Sequence, residues 1–366
     1  MRHWLKARPA VVLLAITVGI FAVACSEDEP TETPTAAATV ATTATVVATG
    51  TPAEDPGTLI VYSGRSESLI GPLLDEFEAE TGIDVRVRYG GTPAIAAAIL
   101  EEGENTPADI YIGQDAGSVG RLSLDGFFAE LPQEVLDLVP AQYRSQTGDW
   151  VGLSGRVRVV VYNTEIHSED TLPASILDYA NPEWAGKVGW APTNASFQSF
   201  VTALRVSQGE DVAREWLQAM VDNGTMVYPG NGDIVQAVAN GEVEVGFVNH
   251  YYLNGFLVDQ GEGFKARNYY FTNGDIGGLM NVAGAGVLNT ASNPEAAIAL
   301  IEFMLRDSSQ AFFAQETTEF PLIVGAAPPV DHVPPIESLA PIDVDLTDLG
   351  DLDATLAMLQ EVGALP

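Results

Sequence analysis

The sequence predicts an α/β protein of two lobes, each a sheet with helical crossovers, joined by strands that pass between them. Three observations predict it. Residues 59–113 read strand–helix–strand–helix–strand, the pattern of a mostly parallel sheet. Residues 156–252 repeat the alternation. The body, residues 59–366, has the length of one large two-lobed unit.

In chain order, TLIVYS is an apolar strand ending at Tyr62–Ser63–Gly64. A helix follows over Leu69–Glu80, with Leu69, Leu73, Leu74 and Phe77 on one face and Gly82 as its stop. IDVRVRY alternates as a strand, GGTPAIAAAILEEG is a helix with Pro93 near its start, and ADIYIG is a third strand. GSVGRLSLDG reads as a helix. RVRVVVYNT, GKVGWAPT, GTMVYPG and VEVGFVNHYY are strands; SFQSFVTALRVSQG, DVAREWLQAMVDNG and DIVQAVANG are helices between them. VAGAGVLNT is a late strand. NPEAAIALIEFMLRDSSQAFFAQ is one long helix, with Asn293 as cap and Pro294 in its first turn. The Pro-rich, acidic last fifty residues are expected to wrap the body. This places lobe one at 59–155 with part of 280–366, and lobe two at 160–278.

The N-terminus has a different character. Arg2, Lys6 and Arg8 precede an apolar run from Val11 to Ala24. That run is shorter than the roughly 20 residues of a spanning helix and has the form of an export signal over 1–24. Ala22 and Ala24 are small, and Cys25, the only cysteine, follows. The segment resembles a bacterial lipoprotein signal, which implies lipid attachment at Cys25 and an extracytoplasmic, membrane-anchored protein. Residues 25–58, rich in Thr, Ala and Pro, read as a disordered tether. The chain has 16 basic and 50 acidic residues, and removing the three leader cations leaves −37. That charge argues against a nucleic-acid partner.

Ligands of open parallel sheets gather beyond the C-terminal ends of strands. Five such ends stand out, most of them polar or Gly-rich: Tyr62–Glu67, Gly113–Asp115, Ser154–Arg156, Pro192–Ser196 and Asn249–Tyr252. Ser63, Asn194–Ser196 and Asn231 each precede a predicted helix; both an ordinary N-cap and an anion seat account for them. Tyr251–Tyr252 fits aromatic packing or a pair of hard phenolate donors, which a strongly charged cation such as Fe³⁺ holds ionised. Tyr269–Tyr270 reads as packing. Arg65 and Arg156 are candidates to seat an anion, since arginine forks match oxyanions. The four histidines, His3, His167, His250 and His332, lack ligand spacing, and no nucleophile, phosphate-loop or zinc-protease motif is present. The chain therefore reads as a binding protein, not an enzyme.

Taken together, IVYSGRSESLIGPLLDEFEAETGIDV, ADIYIGQDAGSVGRLSLDGFFAELP, WVGLSGRVRVVVYNT, VGWAPTNASFQSFVTALR, GNGDIVQAVANGEVEVGFVNHYYL and FFAQETTEFPL resemble the ferric iron-binding proteins of bacterial ABC importers, within the extracellular solute-binding family. The resemblance implies a type II periplasmic-binding-protein (Venus-flytrap) fold and a monomer that delivers Fe³⁺ to an ABC permease. It places paired tyrosine ligands on Tyr251 and Tyr252. It places a synergistic carbonate or phosphate on Asn194, Ala195, Ser196, Asn231 and Asn249, with Arg156 of LSGR as the anion's arginine. Two ligand positions depart from the family: Ser66 stands where some relatives have histidine, and Gln114 where some have glutamate. Glu67 falls where others have a tyrosine ligand, which makes it a candidate oxygen donor to the metal; a solvent-facing helix residue is the other reading. The alternative cargo is a phosphonate, polyamine or other small solute.

Overall fold

The computed structural model describes residues 57–323, 325–326, 330 and 332–365. The leader, Cys25 and nearly all of the tether lie outside the described residues. No described helix is long and apolar enough to cross a membrane.

Among the described residues ten strands are formed: β1 (Thr58–Ser63), β2 (Asp84–Tyr89), β3 (Ile110–Gly113), β4 (Val151–Asn163), β5 (Val188–Trp190), β6 (Met226–Val227), β7 (Val245–Asn249), β8 (Ala266–Tyr269), β9 (Met280–Val287) and β10 (Phe320–Pro321). The helices are α1 (Glu67–Thr81), α2 (Thr92–Glu102), α3 (Ala116–Leu124), α4 (Gln133–Leu136), α5 (Ala195–Gln208), α6 (Glu210–Asp222), α7 (Asn231–Asn240), α8 (Tyr252–Gln260), α9 (Pro294–Met304), α10 (Asp307–Glu316) and α11 (Leu352–Glu361). The two-lobed α/β fold is as expected, with one refinement. Parallel pairing is kept to β2–β1–β3 and β6–β5–β7, while the antiparallel pairs all involve β4 or β9.

β4 explains how one chain builds two sheets. Its thirteen residues are all buried. Val151–Val157 pair with β9, and Arg158–Tyr162 pair with β7. The strand therefore leaves one sheet and enters the other between Val157 and Arg158. The chain returns to the first sheet between β8, ending at Tyr269, and β9, starting at Met280.

Two helix boundaries differ from expectation. α1 begins at Glu67, whose carboxylate suits the positive end of the helix dipole. The long late helix is two helices, broken at Leu305–Arg306, where Arg306 is extended (φ −70, ψ 155). The carbonyls freed by the break are satisfied from α10: Ser309 Oγ donates to Phe303 O (2.7 Å) and Gln310 Nε2 to Met304 O (2.9 Å). Gln310 also donates to Leu153 O of β4 (2.7 Å). Side chains that bond backbone groups in this way compete with helix continuation.

The C-terminal segment packs on both halves. Its Thr347 backbone lies against Gly120 of α3, where a Cβ would collide with it. Further on, Arg205 of α5 donates to Asp351 O (3.0 Å), Asp351 Oδ2 (3.0 Å) and Thr355 Oγ1 (2.8 Å).

Candidate functional site

Strands β6, β5 and β7 are adjacent and parallel, and each runs into a helix. The N-termini of α7, α5 and α8 therefore meet at one sheet edge, with their unpaired N–H groups facing outward. This edge assembles most of the predicted site.

Asn194 caps α5: its Oδ1 accepts from the Ser196 N–H (3.1 Å). Asn249, at the end of β7, is buried and donates from Nδ2 to Ser196 Oγ (2.8 Å), which ties the strand end to the helix start. Asn231 opens α7 behind Gly230; it is 2% exposed, and neither its Oδ1 nor its Nδ2 has a partner. Arg156, 1% exposed, leaves Nε and Nη1 unpaired. A buried polar group without a partner costs roughly 1–3 kcal/mol, more when charged. Unpartnered buried polar atoms also occur elsewhere in the fold, but Asn231 and Arg156 stand by the tyrosine pair, where an added ligand would satisfy them.

Tyr251 and Tyr252 form the turn from β7 into α8. Their half-buried rings stack at 4.5 Å and 29°. Burial raises the Tyr251 phenol above its ordinary value; Tyr252 raises it further, and the Arg156 charge pulls back. The unliganded phenol is therefore protonated at neutral pH, and a cation must displace that proton.

The residues flanking this pair are pinned across the fold. The buried His250 accepts from Val157 N–H at Nδ1 (3.3 Å), and its Nε2 lies 2.8 Å from Thr318 O. Nε2 must carry the proton, because a carbonyl can only accept. Burial pushes the imidazole down to about 4, against weaker raising effects from Thr318 O and Glu319. The ring lies 4.7 Å from Phe320. Asn254 Nδ2 donates to Thr318 Oγ1 (2.9 Å). Thr318 is a β-branched residue at φ 57, in the left-handed region.

The first-half candidates behave differently. Ser63 was expected at an anion seat. Its hydroxyl is instead used locally, donating to Arg65 O (2.9 Å) and accepting from Arg65 N–H (3.1 Å). Arg65, expected beside it, is balanced by Glu319: Nη2–Oε2 is 2.6 Å and Nη1–Oε1 3.4 Å, with Ser154 Oγ at 3.2 Å from Nη1. Burial raises the Glu319 carboxyl, but the charge and hydrogen bonds of Arg65 hold it below the usual range. The Ser63 hydroxyl and the two terminal nitrogens of Arg65 are engaged within the first half, while Arg65 Nε is buried without a partner. Glu67 is exposed at the start of α1, and no described contact joins it to the tyrosines. Ser66 Oγ pairs with Ser68 Oγ (3.0 Å), and Gln114 Nε2 donates to Glu319 Oε1 (3.4 Å). Tyr269 packs edge-on against Phe271.

Arg158 was not among the predicted residues. It is 2% exposed, stands opposite Asn249 in the β4–β7 register, and leaves Nε and Nη2 without partners. Its guanidinium lies 5.8 and 5.7 Å from the rings of Phe197 and Phe200. Burial pulls its pKa down to about 10, so it stays charged at neutral pH. The sequence signal was the alternation RVRVVV. Period two puts Arg156 and Arg158 on one face of an otherwise apolar strand.

Among the described residues, no cluster of three His, Cys, Asp or Glu side chains could hold a metal ion. A cation at this edge would rest on phenolate oxygens and on an anion brought with it.

Residues 105–346 match the family described as bacterial extracellular solute-binding protein. The chain belongs to that family. Among relatives, the Fe(3+)-binding periplasmic protein of Serratia marcescens is 32% identical over 313 residues, 84% of this chain and 90% of the relative. The structure of iron-bound HitA from Pseudomonas aeruginosa is similar at TM-score 0.78 and 32% identity, covering 84% of this chain and all of that one. The Trichodesmium FutA structure, in complex with iron and citrate, gives TM-score 0.75 and 27% identity over 84% of this chain and 99% of that one.

Proposed function

We propose that this solute-binding protein captures ferric iron together with a small oxyanion, carbonate or phosphate, and delivers it to an ABC permease. The observation that carries this reading is the stacked Tyr251–Tyr252 pair beside unpaired Arg156 and Asn231. Two phenolates supply hard oxygen donors. Arg156, Asn231, Asn249, Ser196 and the α5 N-terminus at Asn194–Ala195 hold the anion, which fills further coordination positions. Serratia and Pseudomonas relatives named or solved as iron-binding proteins support the metal. With Ser66 and Gln114 in place of protein ligands, and Glu67 exposed, the anion and water complete the coordination from the first-half side.

The first lobe is residues 59–155 with part of 280–366 and the second 160–278; the transfer of β4 between sheets at Val157–Arg158 supports a pivot there. Closure of the lobes traps the cargo and nothing is chemically transformed. Cys25 anchors the monomer by lipid outside the cytoplasm, and residues 26–58 tether it near its permease.

A second reading, a phosphonate-type solute, is favoured by the unpaired guanidiniums of Arg156 and Arg158 taken without the tyrosines. Ferric iron with bicarbonate separates the two. A visible tyrosinate-to-iron charge-transfer band is expected, and it disappears in the Tyr251→Phe, Tyr252→Phe double variant. No band, with a phosphonate raising the melting temperature instead, refutes the iron reading.

A further inference from the structure

Arg158 lacks an ion-pair partner among the described residues, although it is buried. The groups around it are Asn249 on the facing strand, two phenyl rings of α5, the tyrosine pair, whose phenols act on it electrostatically, and Arg156, whose like charge opposes its own. Its Nη1 lies 3.5 Å from Asn249 Oδ1, at the long end of hydrogen-bond range.

The chemistry of these groups fixes an order. A guanidinium has only donors, so the Asn249 amide must turn its oxygen to Arg158. Its NH₂ then faces Ser196 and donates to Oγ at 2.8 Å. A serine hydroxyl whose lone pair is already used has its own proton free to donate elsewhere. Ser196 sits in the first turn of α5, at the edge where Asn231 and Arg156 hold unpaired donors.

We propose that Arg158 is a positioning residue of the anion seat: by fixing the orientation of the Asn249 amide, it makes Ser196 a hydrogen-bond donor to the oxyanion. Without Arg158 the amide can flip, present its oxygen to Ser196, and draw the hydroxyl proton away from the anion. The relay rests on the oxyanion-dependent iron reading above, and it goes further by assigning a role to a residue that does not itself touch the cargo.

The test is a bicarbonate titration of the full chain with ferric iron, followed by the charge-transfer band and repeated with phosphate. In Arg158→Met the band should survive at saturating anion, because both tyrosines remain. The half-saturating anion concentration should rise about tenfold, as for one lost hydrogen bond to a charged group. Ser196→Ala should raise it similarly, and the double variant no further than the larger single effect. Arg158→Lys, which keeps a donor for Asn249 Oδ1, should restore most of the wild-type value. An unchanged half-saturation in Arg158→Met, or single effects that multiply in the double variant, overturns the relay. If Arg158→Met does not fold, Asn249→Ala and Ser196→Ala carry the same test: non-additive shifts support the relay and multiplying shifts overturn it. A wild-type chain without any band removes the iron reading beneath it. A wild-type band that Arg158→Met leaves unmoved overturns the relay alone.

Discussion

Acidifying the protein from pH 7.5 to 4.5 should expose the cost of keeping His250 neutral. The imidazole is buried between Val157 N–H and Thr318 O, and its folded pKa is down at about 4. An unfolded histidine takes its proton near 6.5. Between these values the unfolded chain binds a proton that the folded chain refuses. The associated stability is therefore complete above about pH 6.5 and is lost as pH falls toward 4. The gap between those two values corresponds to roughly 2–3 kcal/mol lost by pH 4.5. Carboxylates also titrate in this range, so the comparison is with His250→Gln, which cannot protonate. Urea unfolding of both proteins at half-unit pH steps isolates the histidine as the difference between the two curves. Curves that run parallel from pH 7.5 to 4.5 would refute the reasoning.

Other outcomes follow from the same contacts. Replacing Arg65 by Met leaves Glu319 buried without its cation and should cost on the order of 3–5 kcal/mol; the Arg65→Met, Glu319→Gln pair should recover more than half of that loss in urea unfolding. At Thr318, Val keeps the strained left-handed backbone and loses the Asn254 bond, so it should destabilise by about 1 kcal/mol or more. Thr318→Gly relieves the backbone and should stay within about 1 kcal/mol of wild type in the same assay. Gly120→Ala should lower the melting temperature and increase protease cleavage after residue 340, because its Cβ meets the Thr347 backbone. At fixed free ferric iron and bound anion, iron affinity should fall about a hundredfold for each unit the pH is lowered from neutrality if the two phenols are the ligands and release two protons; a flat dependence would show that the tyrosines are not the ligands.

Patterns that depend on local periodicity were legible in the sequence. The Leu69–Phe77 stripe marks α1, and the alternation in IDVRVRY marks β2, because each face repeats at the period of its element. The break between α9 and α10 was hidden, because it depends on Ser309 and Gln310 reaching carbonyls that only the folded chain brings near. The same limit divides the site. Tyr251–Tyr252 and Asn194–Ser196 are readable because they are neighbours in sequence at a strand end. Ser63 and Arg65 also sit at a strand end, but the partner that commits Arg65 is Glu319, 254 residues away. Arg158 was passed over because a cation in a valine-rich strand has no local reason to be there. Its reason is Asn249 on the neighbouring strand.

The passage of β4 between sheets has a mechanical consequence. Asn194, Ser196, Asn231, Asn249, Tyr251 and Tyr252 all hang from the β6–β5–β7 side, and Arg156 and Arg158 sit on either side of the crossing point. A rotation displaces each atom in proportion to its distance from the axis, so these groups keep their mutual spacing while the opposite wall swings away. If these groups hold the cargo as proposed, unloading does not require the receptor to dismantle its own cradle. Under the closure proposed above, a permease that levers the lobes apart would withdraw only the first-half wall, and the chain it lets go would already have its cradle set for the next ion.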